Sequence, residues 1–126
     1  MSKTIINSAN APAPIGPYNQ AVEVNGMVFI SGQIAIQPST GEFLTSNVEA
    51  ETMQVMENLK AILTEAKLDF SNIIKTSIFL SDMNLFGVVN TVYASYFTAD
   101  FPARETVAVL GLPKGVNVEI SMIAAR

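Results

Sequence analysis

The sequence predicts an α+β fold, in which a mixed β-sheet carries two helices packed on one face. Three observations support this. Two apolar runs flank Asn25-Gly26, the dipeptide that most strongly favours a two-residue hairpin. A segment from Ser46 to about Lys67 has apolar residues at helical spacing, and Ile73–Leu80 is rich in β-branched residues. The predicted order is β-β-β-α-β-α-β-β, without repeats or linkers, so residues 1–126 form a single domain.

The N-terminal part contains a short strand, a loop and the hairpin. Lys3–Ile6 is predicted as a strand, and Ser8–Pro17, with three prolines and a glycine, as an extended loop. The hairpin strands are Gln20–Val24 and Met27–Ile34. The second strand is interrupted by Ser31-Gly32-Gln33, where a glycine indicates either a bulge or the close approach of a ligand or another backbone. The bulge is the interpretation we favour.

The first helix follows a polar loop, Ala35–Thr45, and is predicted to begin at Ser46. Ser46 and Glu49 have the spacing of a capping box. The apolar stripe that indicates its buried face contains Thr52, Val55, Met56, Leu59, Ile62, Leu63 and Ala66. Four glutamates lie off this stripe, which predicts a solvent-facing surface: Glu49, Glu51, Glu57 and Glu65.

The second helix is predicted over Leu85 to about Phe97, with N-cap candidates in Ser81-Asp82-Met83-Asn84. Asn90 lies on this helix in line with aromatic residues. Its amide therefore either satisfies a backbone group or faces a pocket. The rigid segment Ile15-Gly16-Pro17 places Tyr18, which either packs in the core or faces a ligand.

Two apolar runs close the chain, Thr106–Leu110 and Val116–Ile123, and the Leu-Pro-Lys-Gly segment between them predicts a turn. Arg104 precedes the first run and Glu119 lies inside the second. A hairpin turning near Pro113 would separate them by about three rungs, or ~10 Å at ~3.4 Å per residue. They would then meet on one small ligand only with a bulge, or with groups from a neighbouring subunit.

A carboxylate inside a Val/Ile strand costs free energy unless it is paired or used. One interpretation is therefore structural, with Glu119 facing solvent or forming an ion pair with Arg104. The other is functional, with one anion-binding cation and one acid/base group in a common site.

The composition indicates that other subunits cover part of the surface. Hydrophobic residues make up 49% of the chain and charged residues 14%, against roughly 25% in a typical soluble protein. The run Thr106–Leu110 has no charge on either face, as is usual for strands covered on both sides. Two helices on one face leave the other face uncovered, so we expect a homo-oligomer.

Several function classes are disfavoured. A net charge of −4 and only seven basic residues argue against a nucleic-acid surface. The chain has no Cys and no His, so it lacks disulfides, thiol nucleophiles, Ser-His-Asp chemistry and thiolate or imidazole metal sites. Residues 24–41 carry no charge, but glycines and Pro38 interrupt them, so no membrane helix is predicted. The N-terminus has no apolar signal segment, and we expect a cytoplasmic protein.

Six short motifs occur in order along nearly the whole chain: Ile15-Gly16-Pro17-Tyr18, Ser31-Gly32-Gln33, Val89-Asn90, Phe101-Pro102-Ala103-Arg104, Leu112-Pro113-Lys114-Gly115 and Val118-Glu119-Ile120. In this ordered combination the sequence resembles the Rid (YjgF) reactive intermediate deaminase family. The resemblance implies a chorismate-mutase-like fold assembled as a homotrimer with clefts between subunits. It also implies hydrolysis of 2-iminobutanoate and 2-iminopropanoate to 2-oxo acids and ammonia, without cofactor or metal.

The resemblance also implies roles for individual residues. Arg104 is similar to the arginine that binds the substrate carboxylate, and Glu119 to the glutamate that handles the attacking water. Thr106 stands where many deaminating members have Cys, and Thr keeps a hydroxyl but offers no thiolate. We expect activity to survive this difference, with an altered substrate preference. The positions implied to line the pocket are Tyr18, Ser31, Gly32, Asn90 and Thr106.

The chemistry agrees with these residue types. An imine carbon is already electrophilic, so an enzyme need only orient it, deliver water and manage protons. Arg offers a planar fork matched to a carboxylate, and Glu can relay a proton, especially where apolar surroundings raise its pKa. Two alternatives remain. One is a non-catalytic regulator that senses 2-oxo or amino acids through the Arg104 pocket. The other, disfavoured by the missing His and the acidic balance, is a ribonuclease or translation inhibitor.

Overall fold

The computed structural model describes residues 2–126, which form a six-stranded mixed sheet with two α-helices. The strand order is β1-β2-β3-β6-β4-β5, in which β4 and β5 are parallel and every other neighbouring pair is antiparallel. The predicted α+β class is confirmed. The elements are β1 Thr4–Ile6, β2 Ala21–Val24, β3 Met27–Gln33, α1 Val48–Glu65, β4 Ile73–Leu80, α2 Phe86–Ala94, β5 Ala103–Ala108 and β6 Val118–Ala125.

The β2–β3 hairpin forms as its turn sequence predicts. Val24 pairs with Met27, so Asn25 and Gly26 are the two turn residues. Both have positive φ angles, 51° and 78°. A two-residue turn needs left-handed backbone at both positions to match the twist of its strands, and Asn and Gly adopt it at least cost.

The predicted pairing of the two C-terminal strands is wrong, because β4 lies between them. β5 pairs only with β4, and β6 pairs with β3 and β4. The segment 109–117 crosses the end of β4 and is tied to it from both sides. The Val109 N–H donates to the Leu80 carbonyl (2.9 Å), and the Ser81 N–H donates to the Asn117 carbonyl (3.0 Å). The segment is therefore a crossover, and its Leu-Pro-Lys-Gly sequence forms a 3₁₀ turn at Pro113–Gly115.

Two details at the start of α1 also differ from prediction. The N-cap is Asn47 rather than Ser46, and its side chain accepts a hydrogen bond from the Ala50 N–H (3.0 Å). Glu51, predicted on the solvent face, is fully buried. Its carboxylate accepts hydrogen bonds from the Asn117 N–H (2.7 Å), the Asn117 side-chain amide (2.9 Å) and the Val118 N–H (3.0 Å). The first turn of α1 thus fixes the point where β6 begins.

The helices cover one sheet face and leave the other open. On the covered face, residues of β4 and β6 pack with α1 and α2 in one core that includes Ile78, Ile120 and Leu59. The opposite face exposes Phe29 (47%) and Val107 (43%). Among residues 2–126, no helix is both long and apolar enough to cross a membrane.

The open face also carries charge, contrary to the prediction for the fifth strand. β5 begins at Ala103 rather than Thr106, so Glu105 belongs to the strand. Glu105 faces Ser77 in the ladder and forms an ion pair with Lys75 (3.0 Å). The Ser77 hydroxyl also donates to Glu105, and this hydrogen bond and Lys75 lower the pKa of the Glu105 carboxyl.

Candidate active site

A cavity of about 500 Å³ lies between the loop before β2, the end of β3 and the turn before β6. We call it the Glu119 cavity. It contains four of the residues that the sequence analysis selected: Tyr18, Ser31, Gly32 and Glu119. Most of the other lining residues are apolar or proline. The full set is Pro12, Ala13, Ile15, Tyr18, Gln20, Ser31, Gly32, Gln33, Ile34, Ile36, Pro113, Lys114 and Glu119.

Gly32 makes room for the Glu119 carboxylate. The register between β3 and β6 shifts between Ile30 and Gln33, which confirms the predicted bulge. A Cβ atom at position 32 would overlap Glu119 Oε2 and lie 2.9 Å from its Cδ. The glycine therefore also permits a close approach, but the approaching group is a side chain of the same sheet.

Burial raises the pKa of the Glu119 carboxyl above its ordinary value of 4.5. Residues 2–126 offer this carboxylate no ion pair, since their two ion pairs are Lys75–Glu105 and Arg126–Glu23. The structural interpretation of Glu119 as the partner of Arg104 is therefore wrong. A partly buried carboxyl with a raised pKa, next to open space, is suited to exchange protons with a bound molecule.

The loop that closes the Glu119 cavity is held by a buried amide. Gln20 accepts a hydrogen bond from the Ser8 N–H (2.6 Å) and donates to the Ser8 and Pro12 carbonyls (3.1 and 2.9 Å). Ser31 is fixed by donating to the Asn19 carbonyl (2.7 Å). Tyr18 remains 49% exposed, so it faces the cavity and solvent rather than packing in the core.

A second cavity of about 440 Å³ lies beside α2 and the start of β5, lined by Asn90, Tyr93, Ala94, Phe101, Pro102 and Arg104. We call it the Arg104 cavity. The Arg104 guanidinium donates from Nη1 to Asn90 Oδ1 (2.7 Å). Its central carbon lies 5.5 Å from the ring centroid of Phe86 and 5.2 Å from that of Tyr93. Among the described residues, no carboxylate lies within ion-pair distance of it.

The structure thus explains the polar residue among the aromatics of α2. Asn90 binds the guanidinium rather than a backbone group, and it lines the cavity. The Tyr93 ring packs against the same guanidinium, and the Tyr93 hydroxyl donates to Thr76 Oγ1 (2.9 Å). Burial raises the pKa of the Tyr93 hydroxyl. Two π faces and one amide hold Arg104 with most of its N–H donors free for a ligand.

One chain does not bring Arg104 and Glu119 together. In the ladders Arg104 is opposite Thr76, whereas Glu119 is opposite Phe79. Positions 76 and 79 of β4 point to opposite faces of the sheet, because side chains alternate along a strand. Arg104 therefore lies on the helix-covered face and Glu119 on the open face, two strands apart. The prediction that a hairpin separates them by three rungs is wrong.

Thr106 lies on the same face as Arg104, two residues along β5, opposite Ile78. Its Oγ1 is buried and has no hydrogen-bond partner among residues 2–126. Buried hydroxyls normally have a partner, so this oxygen is an exception, and Thr106 is not among the residues that line the Arg104 cavity. Thr106 was predicted to line the pocket only through the family resemblance.

Lys114 was not selected, although it lines the Glu119 cavity. It has a left-handed backbone, with φ 59° and ψ 16°, in the turn before β6. The sequence showed the turn, but nothing in it indicated that the turn closes over a cavity. No group of three or more acidic residues suited to hold a metal ion occurs in the described part of the chain.

The fold and site define a small α+β protein in which one cavity is built around a carboxylate and another around a guanidinium. A family model described as endoribonuclease L-PSP matches residues 8–126. The chain belongs to this family, the YjgF/Rid family that its motifs resemble.

Individual relatives differ in name. A Mus musculus protein named 2-iminobutanoate/2-iminopropanoate deaminase is 44% identical over 98% of this chain and 92% of its own length. A Lactococcus lactis protein named as a regulator, AldR, is 48% identical over 95% of each chain. The crystal structure of E. coli TdcF with bound serine superposes with a TM-score of 0.93 at 43% identity, covering 98% of each chain.

Proposed function

We propose that the protein hydrolyses small 2-imino acids, such as 2-iminobutanoate and 2-iminopropanoate, to 2-oxo acids and ammonia. The observation that carries the proposal is the partly buried, unpaired Glu119 carboxylate in a largely apolar cavity of about 500 Å³. A deaminase-named relative at 44% identity supports the same reaction. The bound serine in the structure of TdcF adds that a similar protein accepts a small amino acid.

Glu119 acts as the proton relay in this proposal. It takes a proton from a water molecule as that water's oxygen bonds to the imine carbon. It then relays this proton to the nitrogen, followed by the second proton from the hydroxyl of the tetrahedral intermediate, and the nitrogen leaves as ammonia while the carbon–oxygen double bond forms. One water is consumed, and one 2-oxo acid and one ammonia are produced. The imine carbon is electrophilic without further activation, so the reaction needs neither a metal nor a cofactor.

Arg104 binds the substrate carboxylate. Its guanidinium is oriented by Asn90 and by the rings of Phe86 and Tyr93, and it has no anionic partner among the described residues. Such a fork can donate two parallel hydrogen bonds to a carboxylate. Thr106, with its partnerless buried hydroxyl, supplies a further donor near this end.

The two residues meet in an oligomer. Because Arg104 and Glu119 lie on opposite faces of one sheet, a common site needs Arg104 from one subunit and Glu119 from another. The open face exposes Phe29 and Val107, and a neighbouring subunit would cover them. We infer a homotrimer with a cleft between each pair of subunits, as the family resemblance implies.

Ammonia release from freshly generated 2-iminobutanoate tests the proposal. We expect the wild-type protein to accelerate release over the buffer rate, and Glu119→Gln to lose ~10²–10⁴-fold, the usual contribution of a general acid–base group. Glu49→Gln is the matched control, since Glu49 is exposed in the first turn of α1. Wild-type turnover by Glu119→Gln would exclude Glu119 as the relay.

The regulator name of one relative supports a second candidate, a protein that binds 2-oxo or amino acids without catalysis. A sensor would keep the Arg104 cavity but would not need a proton relay. It would bind 2-oxobutanoate, release no ammonia above the buffer rate, and tolerate Glu119→Gln without any measurable change. The two candidates are therefore separated by the same set of proteins.

A further inference from the structure

We propose that Lys114 binds a second carboxylate in the Glu119 cavity, so that the substrates include 2-imino acids whose side chain ends in a carboxylate. The inference rests on the proposed function, because it takes the α-carboxylate to be held by Arg104. It concerns the opposite end of the substrate.

The lining of the Glu119 cavity includes one acidic and one basic residue. These are Glu119 and Lys114, and the remaining lining residues are apolar or neutral polar groups. Lys114 is exposed and forms no ion pair with any carboxylate of residues 2–126. Its ammonium is therefore available to an anion that enters from outside.

Lys114 and Glu119 occupy one cavity without neutralising each other. No ion pair joins the two side chains among residues 2–126, and burial raises the pKa of the Glu119 carboxyl. A lysine close to that carboxylate would hold its pKa down. The cavity thus presents a cation and a proton relay at separate points, with Ile15, Ile34 and Ile36 among its apolar walls.

The size of the cavity agrees with a longer ligand. In one chain the cavity of about 500 Å³ lies within the ~300–1,000 Å³ range of sites that bury drug-sized molecules, which leaves room for a longer acid beside the Arg104 that a neighbouring subunit contributes. A neutral aliphatic chain would leave the ammonium without an anion. A side chain that ends in a carboxylate would reach it across the apolar wall.

The backbone of Lys114 fixes the point from which its side chain extends. Lys114 and Gly115 both have left-handed backbone, with φ 59° and 67°, directly after Pro113. A lysine in this region is uncommon, although Lys67 shares it with φ 62°. The long side chain then supplies a mobile point charge, which tolerates second carboxylates of different reach.

Binding of two stable product analogues tests the inference. Calorimetry compares 2-oxoglutarate, which has two carboxylates, with 2-oxobutanoate, which has one, on wild type, Lys114→Asn and Lys114→Arg. Asn tolerates left-handed backbone and removes the charge, whereas Arg keeps the charge. Lys67→Asn is the matched control, because Lys67 is also exposed with a left-handed backbone (φ 62°) but lies outside the Glu119 cavity.

We expect the ratio of affinities, 2-oxoglutarate over 2-oxobutanoate, to fall about tenfold in Lys114→Asn, as for the loss of one charge-assisted contact. The ratio should stay near wild type in Lys114→Arg and Lys67→Asn. An unchanged ratio in Lys114→Asn overturns the inference alone, provided that wild type binds 2-oxobutanoate and hydrolyses 2-iminobutanoate. If wild type does neither, the proposed function fails as well.

Discussion

Glu119 lies in an environment that shifts its protonation equilibrium toward the neutral form, whereas the proposed reaction uses the charged form. Burial raises its pKa in the folded protein above the ordinary 4.5. For a carboxyl with a raised folded-state pKa, the folded protein binds the proton more tightly than the unfolded chain does. The group therefore costs no stability below its unfolded pKa, and stability is lost as pH rises from that value through the folded pKa.

We accordingly expect Glu119→Gln to be more thermally stable than wild type at pH 7, by a few degrees (~2–5 °C), and equal to it near pH 3.5. Thermal unfolding followed by circular dichroism across this range measures the difference, with Glu49→Gln as the exposed control. Lower stability of Glu119→Gln at pH 7 would mean that the carboxylate is satisfied by partners in solution. In wild type, kcat/KM for the imine should fall with acidification at a pH above 4.5.

Substitution of Arg104 tests whether its guanidinium acts as a clamp, which holds a carboxylate by paired hydrogen bonds, or only as a point charge. We expect Arg104→Lys to fold and to bind 2-oxobutanoate ~10–100-fold more weakly, because Lys loses the planar fork that donates paired hydrogen bonds. Arg126→Lys is the control, since Arg126 pairs with Glu23 (2.7 Å) away from both cavities. Calorimetry with 2-oxobutanoate on the three proteins measures this. Equal affinity of wild type and Arg104→Lys would show that Arg104 is not the clamp.

The residue types of the candidate site were predictable, but their partners were not. Arg104 and Glu119 stand out because a charge beside or inside an apolar strand needs a reason. Which face each occupies depends on where the strand begins and what it pairs with, and a one-residue change reverses every side chain. Tertiary packing brings Asn90 and two aromatic rings against Arg104. The spacing along α2 placed Asn90 in line with aromatic residues, but it did not indicate that Arg104 is their partner.

At the scale of elements, the hairpin turn predicted from a local signal was confirmed, whereas the predicted pairing of the two C-terminal strands was wrong. The Asn25-Gly26 turn requires positive φ at two adjacent residues, so the sequence determines it nearly alone. The pairing of β6 with β4 depends on contacts between residues far apart in the chain, and no local pattern encodes it. The buried Glu51 carboxylate makes one such contact. Because Glu51 lies beside the apolar stripe of α1 rather than on it, it was predicted to face solvent.

Glu51 should therefore matter far more than its solvent-facing neighbours. Glu51→Ala leaves the half-buried N–H group of Asn117 and the buried N–H group of Val118 without an acceptor, at ~1–3 kcal/mol for each unsatisfied group. We expect the free energy of unfolding to fall by about 2–5 kcal/mol in urea titrations. Glu49→Ala, on the exposed side of the same turn, should change it by less than about 1 kcal/mol. Equal effects of the two substitutions would contradict the anchoring role.

At the scale of the whole molecule, the open sheet face accounts for a composition with few charges. The face carries exposed Phe29 and Val107, apolar residues of the kind found in the core of an interface, and the Lys75–Glu105 ion pair, of the kind found at its polar rim. The sequence predicts an oligomer because strands without charge on either face are usually covered on both. The charged Glu105 lies on the open face, so the expectation of an oligomer now depends on the exposed apolar residues of that face. Light scattering should give a mass about three times 13.5 kDa at micromolar concentration.

Mixed assemblies test whether a site is shared between subunits. Arg104→Lys and Glu119→Gln each remove one half of the proposed site, and within one chain these halves lie on opposite faces of the sheet. If each site takes Arg104 from one subunit and Glu119 from the next, co-refolding the two variants in equal amounts restores both residues in about a quarter of the sites. We expect imine hydrolysis near that fraction of wild type, whereas the separately refolded variants remain slow. Mixed oligomers, verified by tagging one variant, that are no faster than the variants alone would show that the two residues do not share a site across an interface.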